Sequence, residues 1–217
     1  MGIGRWLAAG VGLAAIGGAV AYAQYRNIET PDHDVLMTDG DFELRQYAPM
    51  IVAEVTHTGS RDRASSAGFR RLAAYIFAED RPGSGANADE SIEMTAPVMQ
   101  DRVGEDEKIA MTSPVLQDSK GGDEWRTRFV MPSEYSMAEL PTPPADITLA
   151  EVPRRRVAAL RFSGNPSEAD LIVMETRLED WIETQGFTRK GGVGYAFYDA
   201  PMVPGPLRRN EVLIEVE

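Results

Sequence analysis

Short runs in which apolar and polar residues alternate predict that most of this chain forms β-strands. The predicted strands are Phe42–Tyr47, Met50–Thr58, Glu124–Met131, Ile147–Glu151, Arg155–Ser163, Gly194–Asp199 and Asn210–Val216. Two further stretches have apolar residues at helical spacing instead. The pattern therefore indicates a mixed fold with an antiparallel sheet and two helices.

The first helix is predicted over Arg61–Glu79, after Ser60 as its cap. The second is predicted to begin at Asn165, with Pro166 in its first turn, and to be capped at its other end by Gly186. The apolar face of the second helix consists of Leu171, Met174, Leu178, Trp181 and Ile182.

Two repeats organise the chain. Ile92–Asp101 and Ile109–Asp118 match at an offset of 17 residues, which predicts paired antiparallel strands or two turns at the rim of a cleft. Leu44–Ser60 matches Leu149–Asn165 at an offset of 105 residues, and a helical pattern follows each segment. The fold expected is thus one pseudo-twofold domain of two strand–strand–helix–strand–strand halves with a cleft between them.

Composition excludes several kinds of site. The 217 residues include no cysteine, so disulfides and thiolate ligands are absent. Only two histidines, His33 and His57, are present, which argues against a zinc or di-iron site. The net charge of −12 repels phosphate backbones, so nucleic acid is not an expected partner.

The N-terminus contains an uncharged run of 18 residues, Trp6–Ala23, preceded by Arg5 and ending in Ala21-Tyr22-Ala23. This pattern is typical of a secretory signal peptide or of an uncleaved membrane anchor. The predicted organisation is a leader at 1–23, a polar linker at 24–40 and a folded domain at 41–217. The protein is then expected at the membrane, or in the periplasm or outside the cell.

Four segments in the predicted domain carry a family resemblance. They are Ile109–Val115 (IAMTSPV), Phe129–Tyr135 (FVMPSEY), Tyr198–Pro201 (YDAP) and Arg208–Val212 (RRNEV). In this order they resemble the SOUL haem-binding protein family. The resemblance implies a distorted antiparallel β-barrel of two related halves with two flanking helices. It also implies non-catalytic binding of haem or another tetrapyrrole.

The same resemblance suggests a surface on the first helix as the binding site. Phe69, Ala73 and Phe77 are the implied apolar contacts, and Arg70 is the implied partner of a propionate. Phe69 and Ala73 stand where relatives have long methionines, and Val203 replaces a basic residue that some relatives carry in the last loop.

Further candidates come from the residues themselves. His57, which is predicted on the apolar face of its strand, could be an axial ligand or a core residue. Met94 and Met111 share one motif position and could ligate iron or fill the core. Arg208 and Arg209 could bind propionates or pair with acids of this chain.

A different class of function remains open at this stage. Glu54 interrupts the apolar run Met50–Val55, and in a cleft it could act as a general base. The alternatives to tetrapyrrole binding are therefore a gyrase-inhibitor-like hydrolase and a small-molecule sensor that use the same cleft.

The leader makes a testable prediction. A reporter fused after Glu29 should cross the membrane, because Trp6–Ala23 offers an uncharged segment for translocation. Activity of a reporter that works only outside the cytoplasm measures this. A matched fusion that lacks residues 1–23 is the control, and a first fusion that stays soluble in the cytoplasm would refute the prediction.

Overall fold

The computed structural model describes residues 28–82, 89–103, 124–200 and 202–217. Its strands are β1 (His33–Asp39), β2 (Phe42–Tyr47), β3 (Met50–Thr58), β4 (Val98–Arg102), β5 (Glu124–Val130), β6 (Thr148–Val152), β7 (Arg155–Phe162), β8 (Arg189–Phe197) and β9 (Asn210–Val216). The helices are α1 (Arg61–Ile76) and α2 (Glu168–Thr184), and a short 3-10 helix, Gly205–Leu207, lies in the last loop. The predicted α+β class is confirmed.

All nine described strands belong to one antiparallel sheet in the order β1-β2-β7-β9-β8-β4-β5-β3-β6. Among these strands, β1 pairs only with β2, and β6 pairs only with β3. A barrel closes only when its two end strands bond to each other. Among the described strands the sheet is therefore open, and closure of the predicted distorted barrel is not confirmed.

The sheet order confirms the predicted pseudo-twofold arrangement. When β2, β3, α1, β4 and β5 are matched in turn with β6, β7, α2, β8 and β9, the order from β2 to β6 reads the same in both directions. The halves also exchange strands, because β2 pairs with β7 and β6 pairs with β3. Neither half can thus complete its sheet without the other.

The strand pair of the first half differs from the predicted one. β4 pairs with β5 on one side and with β8 on the other, so both of its edges are used. Of the predicted strand Ile92–Asp101, only the end from Val98 onward is a strand. The second repeat segment, Ile109–Asp118, lies outside the described residues.

The predicted linker, residues 24–40, is also partly folded. β1 lies within it and pairs with β2 along its length, so the domain begins before Asp41. Among the described residues no helix is both long and apolar enough to span a bilayer. The predicted leader, residues 1–23, lies outside them.

The ends of both helices follow local hydrogen bonding. α2 begins after Ser167 and not at Asn165, because the side chains of Ser167 and Asp170 each accept a hydrogen bond from the other's backbone N–H. Gly186 follows its C-terminal cap with φ 76°, as predicted for a glycine at that position. α1 ends at Ile76, three residues earlier than predicted, and Ala78 has φ 59°.

Core clusters lie on both faces of the sheet. α1 packs on β3 and β5, whereas α2 packs on β7 and β9. Ala64 of α1 and Leu171 of α2 belong to one cluster, so the two helices share a face. We call the opposite face of the sheet the inner face. It is covered by a separate apolar cluster that includes Tyr47, Val52, Met99, Val157, Ala159 and Leu213. These residues come from both halves, so this cluster joins the halves on the inner face.

The equivalence of the two helices generates a prediction about stability. Trp181 of α2 is 7% exposed, stacks on Phe42 at 5.4 Å and donates a hydrogen bond to Asp39 Oδ2 at 2.9 Å. We expect Trp181→Ala to lower the free energy of unfolding by about 3–5 kcal/mol, because the ring leaves a cavity. Urea denaturation at neutral pH measures the loss.

The control is Ile172→Ala on the same helix, where the side chain is 56% exposed. This change should cost about 0.5 kcal/mol or less. A Trp181→Ala loss as small as that of the control would mean that the ring does not hold α2 on the sheet.

Candidate functional site

The C-terminal half of α1 presents an apolar stripe to solvent. Phe69, Ala73 and Phe77 follow one another at a spacing of four residues, which places them on one flank of the helix. Phe69 is 38% exposed, Phe77 is 45% exposed, and Ala73 is half-buried. The three residues that family resemblance implied as contacts are thus brought together, and we call them the α1 stripe.

The sheet fixes the position of this stripe. A Cβ on Gly68 would lie 2.4 Å from Thr127 Oγ1, so only glycine lets α1 approach β5 this closely. The ring of Phe69 packs edge-on against the buried Phe129, with 5.3 Å between ring centroids. One edge of Phe69 is therefore anchored, and the rest of the ring is available to a ligand.

Arg81 stabilises the end of α1 below the stripe. Its guanidinium donates hydrogen bonds to the carbonyl oxygens of Tyr75 and Ile76 at 2.7 and 2.9 Å. It thereby satisfies acceptors that a helix end leaves unpaired. The backbone N–H of Ile92 also donates to Ile76 at 2.8 Å, and Met94 packs, half-buried, against the core cluster that Ala73 contacts.

The two adjacent arginines of α1 have different roles. Arg71 donates to both carboxylate oxygens of Asp146, at 2.5 and 2.6 Å, and these bonds lower the pKa of Asp146. Arg70 is exposed, and within the described ranges no acidic side chain pairs with it. Arg70 is therefore a cation that α1 can offer to an anionic group.

Neither histidine lies beside the α1 stripe. His57 is half-buried on the helix-facing side of β3, as predicted, and within the described part of the chain its Nδ1 has no hydrogen-bond partner. Its charge contributes to lowering the pKa of Asp146, which places it near Arg71. With about 3.6 residues per helical turn, Arg71 and Phe69 point to opposite flanks of α1.

The position of His33 in the predicted linker suggested a solvated residue, but the structure places it in a strand. It begins β1, where its Nδ1 lies 2.9 Å from the carbonyl oxygen of Pro31 and its ring lies 4.9 Å from that of Tyr47. Met111 lies outside the described residues. Within those residues no group of three His, Cys, Asp or Glu side chains could hold a metal ion.

The two arginines that were predicted to bind propionates, Arg208 and Arg209, contact other groups of this chain. Arg208 donates through Nε to the carbonyl oxygen of Val203 at 2.8 Å. Arg209 donates to Glu211 Oε1 at 2.7 Å, and its guanidinium lies 4.0 Å from the centre of the Tyr198 ring. Neither arginine is part of the α1 stripe.

Sequence reasoning missed a buried ion pair on the inner face. Arg45 donates two parallel hydrogen bonds to Glu211, at 2.7 and 2.9 Å, and the two residues are 2% and 0% exposed. Tyr198 donates a third bond to Glu211 at 2.7 Å. Alternation of Glu43, Arg45 and Tyr47 along β2 was the available signal, because it places all three on one face.

Burial and charge act in opposite directions on this pair. Burial alone would raise the pKa of Glu211, but the hydrogen bonds and charge of Arg45, with the charge of Arg209, lower it to about 2. Burial raises the pKa of Tyr198, and the negative charge of Glu211 raises it further. Glu211 therefore remains ionised at neutral pH, and Tyr198 remains protonated.

Glu54, the candidate base, is also engaged. Its Oε2 lies 3.0 Å from Arg128 Nε and 3.9 Å from Arg126 Nε. Asp101 joins the same group through Arg126 at 2.5 Å and Arg128 at 3.0 Å. Glu54 is thus one carboxylate of an ion-pair network.

Comparison with known families identifies the family of this chain. A family model described as SOUL heme-binding protein matches residues 28–215. The chain belongs to the SOUL haem-binding family. Its implied cofactor is haem or another porphyrin, in agreement with the resemblance of the four sequence segments.

Two solved structures share the fold. The C-terminal domain of EcmrR is 12% identical, with a TM-score of 0.54 over 81% of this chain and 96% of that one. A hydrolase from Listeria innocua is 13% identical, with a TM-score of 0.52 over 84% and 94%. At these identities the likeness concerns the fold alone. A search of curated proteins found no match.

The residues of the α1 stripe fit the porphyrin that the SOUL family implies. Two exposed aromatic rings and a small residue between them form a surface for an apolar plate, and Arg70 can meet a carboxylate. Both histidines of the chain lie elsewhere, so the stripe offers contact without an imidazole ligand.

The buried pair predicts a pH-dependent stability. Glu211 has its pKa lowered from 4.5 to about 2, so its contribution is present above pH 4.5 and is lost as pH falls through about 2. Glu211→Gln should cost about 3–5 kcal/mol at neutral pH, because buried Arg45 loses its buried counter-charge and keeps only the partly exposed Glu43. Urea denaturation between pH 7 and the acid transition measures both effects.

Glu54→Gln is the matched control, because it removes a carboxylate from a partly exposed pair and should cost about 1 kcal/mol or less. The wild type should lose stability more steeply than Glu211→Gln as pH falls below 4.5. Equal losses from the two substitutions would contradict a dominant role for the buried pair.

Proposed function

We propose that this chain binds haem or a related tetrapyrrole without catalysis, on the α1 stripe. The observation that carries the proposal is the exposure of Phe69 and Phe77 on one flank of α1, beside the exposed Arg70. Membership of a haem-binding family supports the choice of ligand. Bound haem supplies a redox-active iron, whereas the residues of the stripe supply only binding and orientation.

Surface contact is sufficient to hold such a ligand. Burial of apolar surface gives about 25 cal/mol per Å², so a few hundred Å² can offset the cost of association. Phe69 and Phe77 contribute the aromatic contacts, and Ala73 leaves room for a flat ring between them. Arg70 then pairs with a propionate at the edge of the ring.

Iron ligation is a secondary contribution in this proposal. His57 lies beside the other flank of α1, and Met94 is half-buried against the core. Binding should therefore depend little on iron. This expectation separates the α1 stripe from a site built around an axial ligand.

We also propose that the protein acts at the membrane or beyond it. The uncharged run Trp6–Ala23 supports this, whether it is cleaved as a signal or kept as an anchor. The ligand would then be met outside the cytoplasm or at the membrane surface.

The hydrolase alternative has less support. It rests on similarity of fold, which does not determine function, and on Glu54, whose carboxylate is held by Arg128. A sensor that uses the same ligand without chemistry remains compatible with the proposal, because its first step is also binding.

The proposal predicts that Phe69→Asp abolishes haem binding, because a charge would face the apolar ring. Ile172→Asp is the control, since it places the same charge at an exposed apolar position of α2, and it should leave the affinity unchanged within about twofold. Titration of the full chain with haem, followed at the Soret band, measures both. Equal affinities of the two variants would contradict a site on α1.

A parallel titration with iron-free protoporphyrin tests the role of iron. Its affinity should lie within about tenfold of that for haem, a difference of roughly 1.4 kcal/mol. His57→Ala should weaken haem binding only slightly and leave the Soret band in place. Tight binding of haem without binding of the iron-free ring would show that ligation dominates, and binding of neither at micromolar concentration would refute the proposal.

A further inference from the structure

The inner face carries a cleft, on the side of the sheet opposite the α1 stripe. Its volume is about 300 Å³, and side chains from β4, β5, β7, β8 and β9 line it. Buried Met99, Val157 and Leu213 form its apolar part. Sites for small molecules begin at about this volume, so the cleft suits a small ligand.

Positive charges outnumber negative ones in the lining of this inner cleft. Arg128, Arg155 and Lys190 face Asp101 and Glu215. Asp101 is already bound by Arg128 at 3.0 Å and by a second arginine of β5 outside the cleft. The cleft therefore holds one surplus positive charge in a chain whose net charge is −12.

Glu215 does not satisfy the two cations that share it. The distance from Arg155 Nη1 to Glu215 Oε2 is 3.6 Å, and that from Lys190 Nζ to Glu215 Oε1 is 3.4 Å. Both exceed the usual range for N–H···O bonds, which ends at about 3.2 Å. In addition, Arg155 Nε is buried and has no hydrogen-bond partner among the residues that the structure describes. A bound carboxylate could accept two parallel hydrogen bonds from the Arg155 guanidinium once that side chain turns toward it. The carboxylate would then supply the partner that Arg155 lacks.

A bulge in β8 brings Lys190 to the cleft and leaves room beside it. The register of β8 against β9 shifts between Arg189, opposite Val216, and Val193, opposite Ile214. The three residues between them, Lys190-Gly191-Gly192, therefore stand against Glu215 alone. Bulges redirect side chains near sites, and two glycines add no side-chain atoms to the cleft.

We propose that the inner cleft binds a small monocarboxylate with an apolar body. Its carboxylate lies between Arg155 and Lys190, and its apolar part contacts Met99, Val157 and Leu213. An inorganic anion would meet the same cations but would lose the apolar contacts. A neutral ligand of the same shape would keep the apolar contacts and lose the ion pairs.

Calorimetric titration of the full chain with hexanoate, hexanamide and inorganic phosphate tests this assignment. Hexanoate should bind, and each of the other two should bind at least about tenfold more weakly, since each lacks one of the two contributions. No binding of hexanoate at about 10 mM would overturn the proposal. Phosphate that binds as tightly as hexanoate would also overturn it, because the apolar lining would then contribute nothing.

Variants locate the bound carboxylate. Arg155→Met should weaken hexanoate at least about tenfold, and Lys190→Met about threefold, because Lys190 is more exposed. Arg156→Met is the matched control, since Arg156 is the exposed neighbour on β7 and points to the other face. It should change the affinity less than about twofold.

Arg155→Lys keeps the charge and removes the forked donor, and it replaces the Met variant if circular dichroism shows that Arg155→Met is unfolded. It should still weaken hexanoate several-fold. Wild-type affinity in a folded Arg155 variant would overturn the proposal.

A final titration separates the inner cleft from the α1 stripe. Saturating haem should leave the affinity for hexanoate unchanged within about twofold, because the two surfaces lie on opposite faces of the sheet. Mutual exclusion would place hexanoate on α1 and overturn the assignment. A protein that binds hexanoate but not haem would refute only the haem proposal.

Discussion

The buried pair of Arg45 and Glu211 is the interaction on which the rest of this fold depends. β2 belongs to the first half of the chain and β9 to the second, so the two hydrogen bonds join the halves across β7. Two charges inside a protein are tolerated only when each is fully matched. Tyr198 and Arg209 supply the remaining partners of Glu211, and the pair therefore holds the exchanged strands in one register.

The exchange of strands explains why a repeated sequence forms one domain with two different surfaces. Each half places its helix on the face opposite the inner one, which we call the outer face, and its strand side chains alternate between the two faces. The halves have diverged on the inner face, because Glu54 of β3 occupies the place that Ala159 has in β7. The ion pairs around Glu54 consequently have no counterpart in the second half. The outer and inner surfaces can then serve different ligands without sharing residues.

Local patterns in the sequence were enough to predict most elements. Phe42–Tyr47, Met50–Thr58 and Asn210–Val216 were predicted with the bounds that the structure has. Alternation marks such strands because one of their faces is buried and the other is not. The repeat at an offset of 105 residues predicted the pseudo-twofold, since equal patterns fold into equal units. The residues of the α1 stripe were implied by the family resemblance, and their spacing of four places them on one flank of the helix.

Such local patterns did not predict the interactions between distant strands. The edge of a sheet can accept any antiparallel strand. Local patterns therefore did not predict which strand lies beside β4, where β1 pairs or whether the sheet closes. Arg45 and Glu211 are 166 residues apart, and no spacing rule connects them. The sequence alone thus determined the helices, most of the strands, the repeat and the family, because these depend on neighbouring residues and short motifs. Only the tertiary structure decided which charges are paired and where a cleft remains, because these depend on how distant segments pack together.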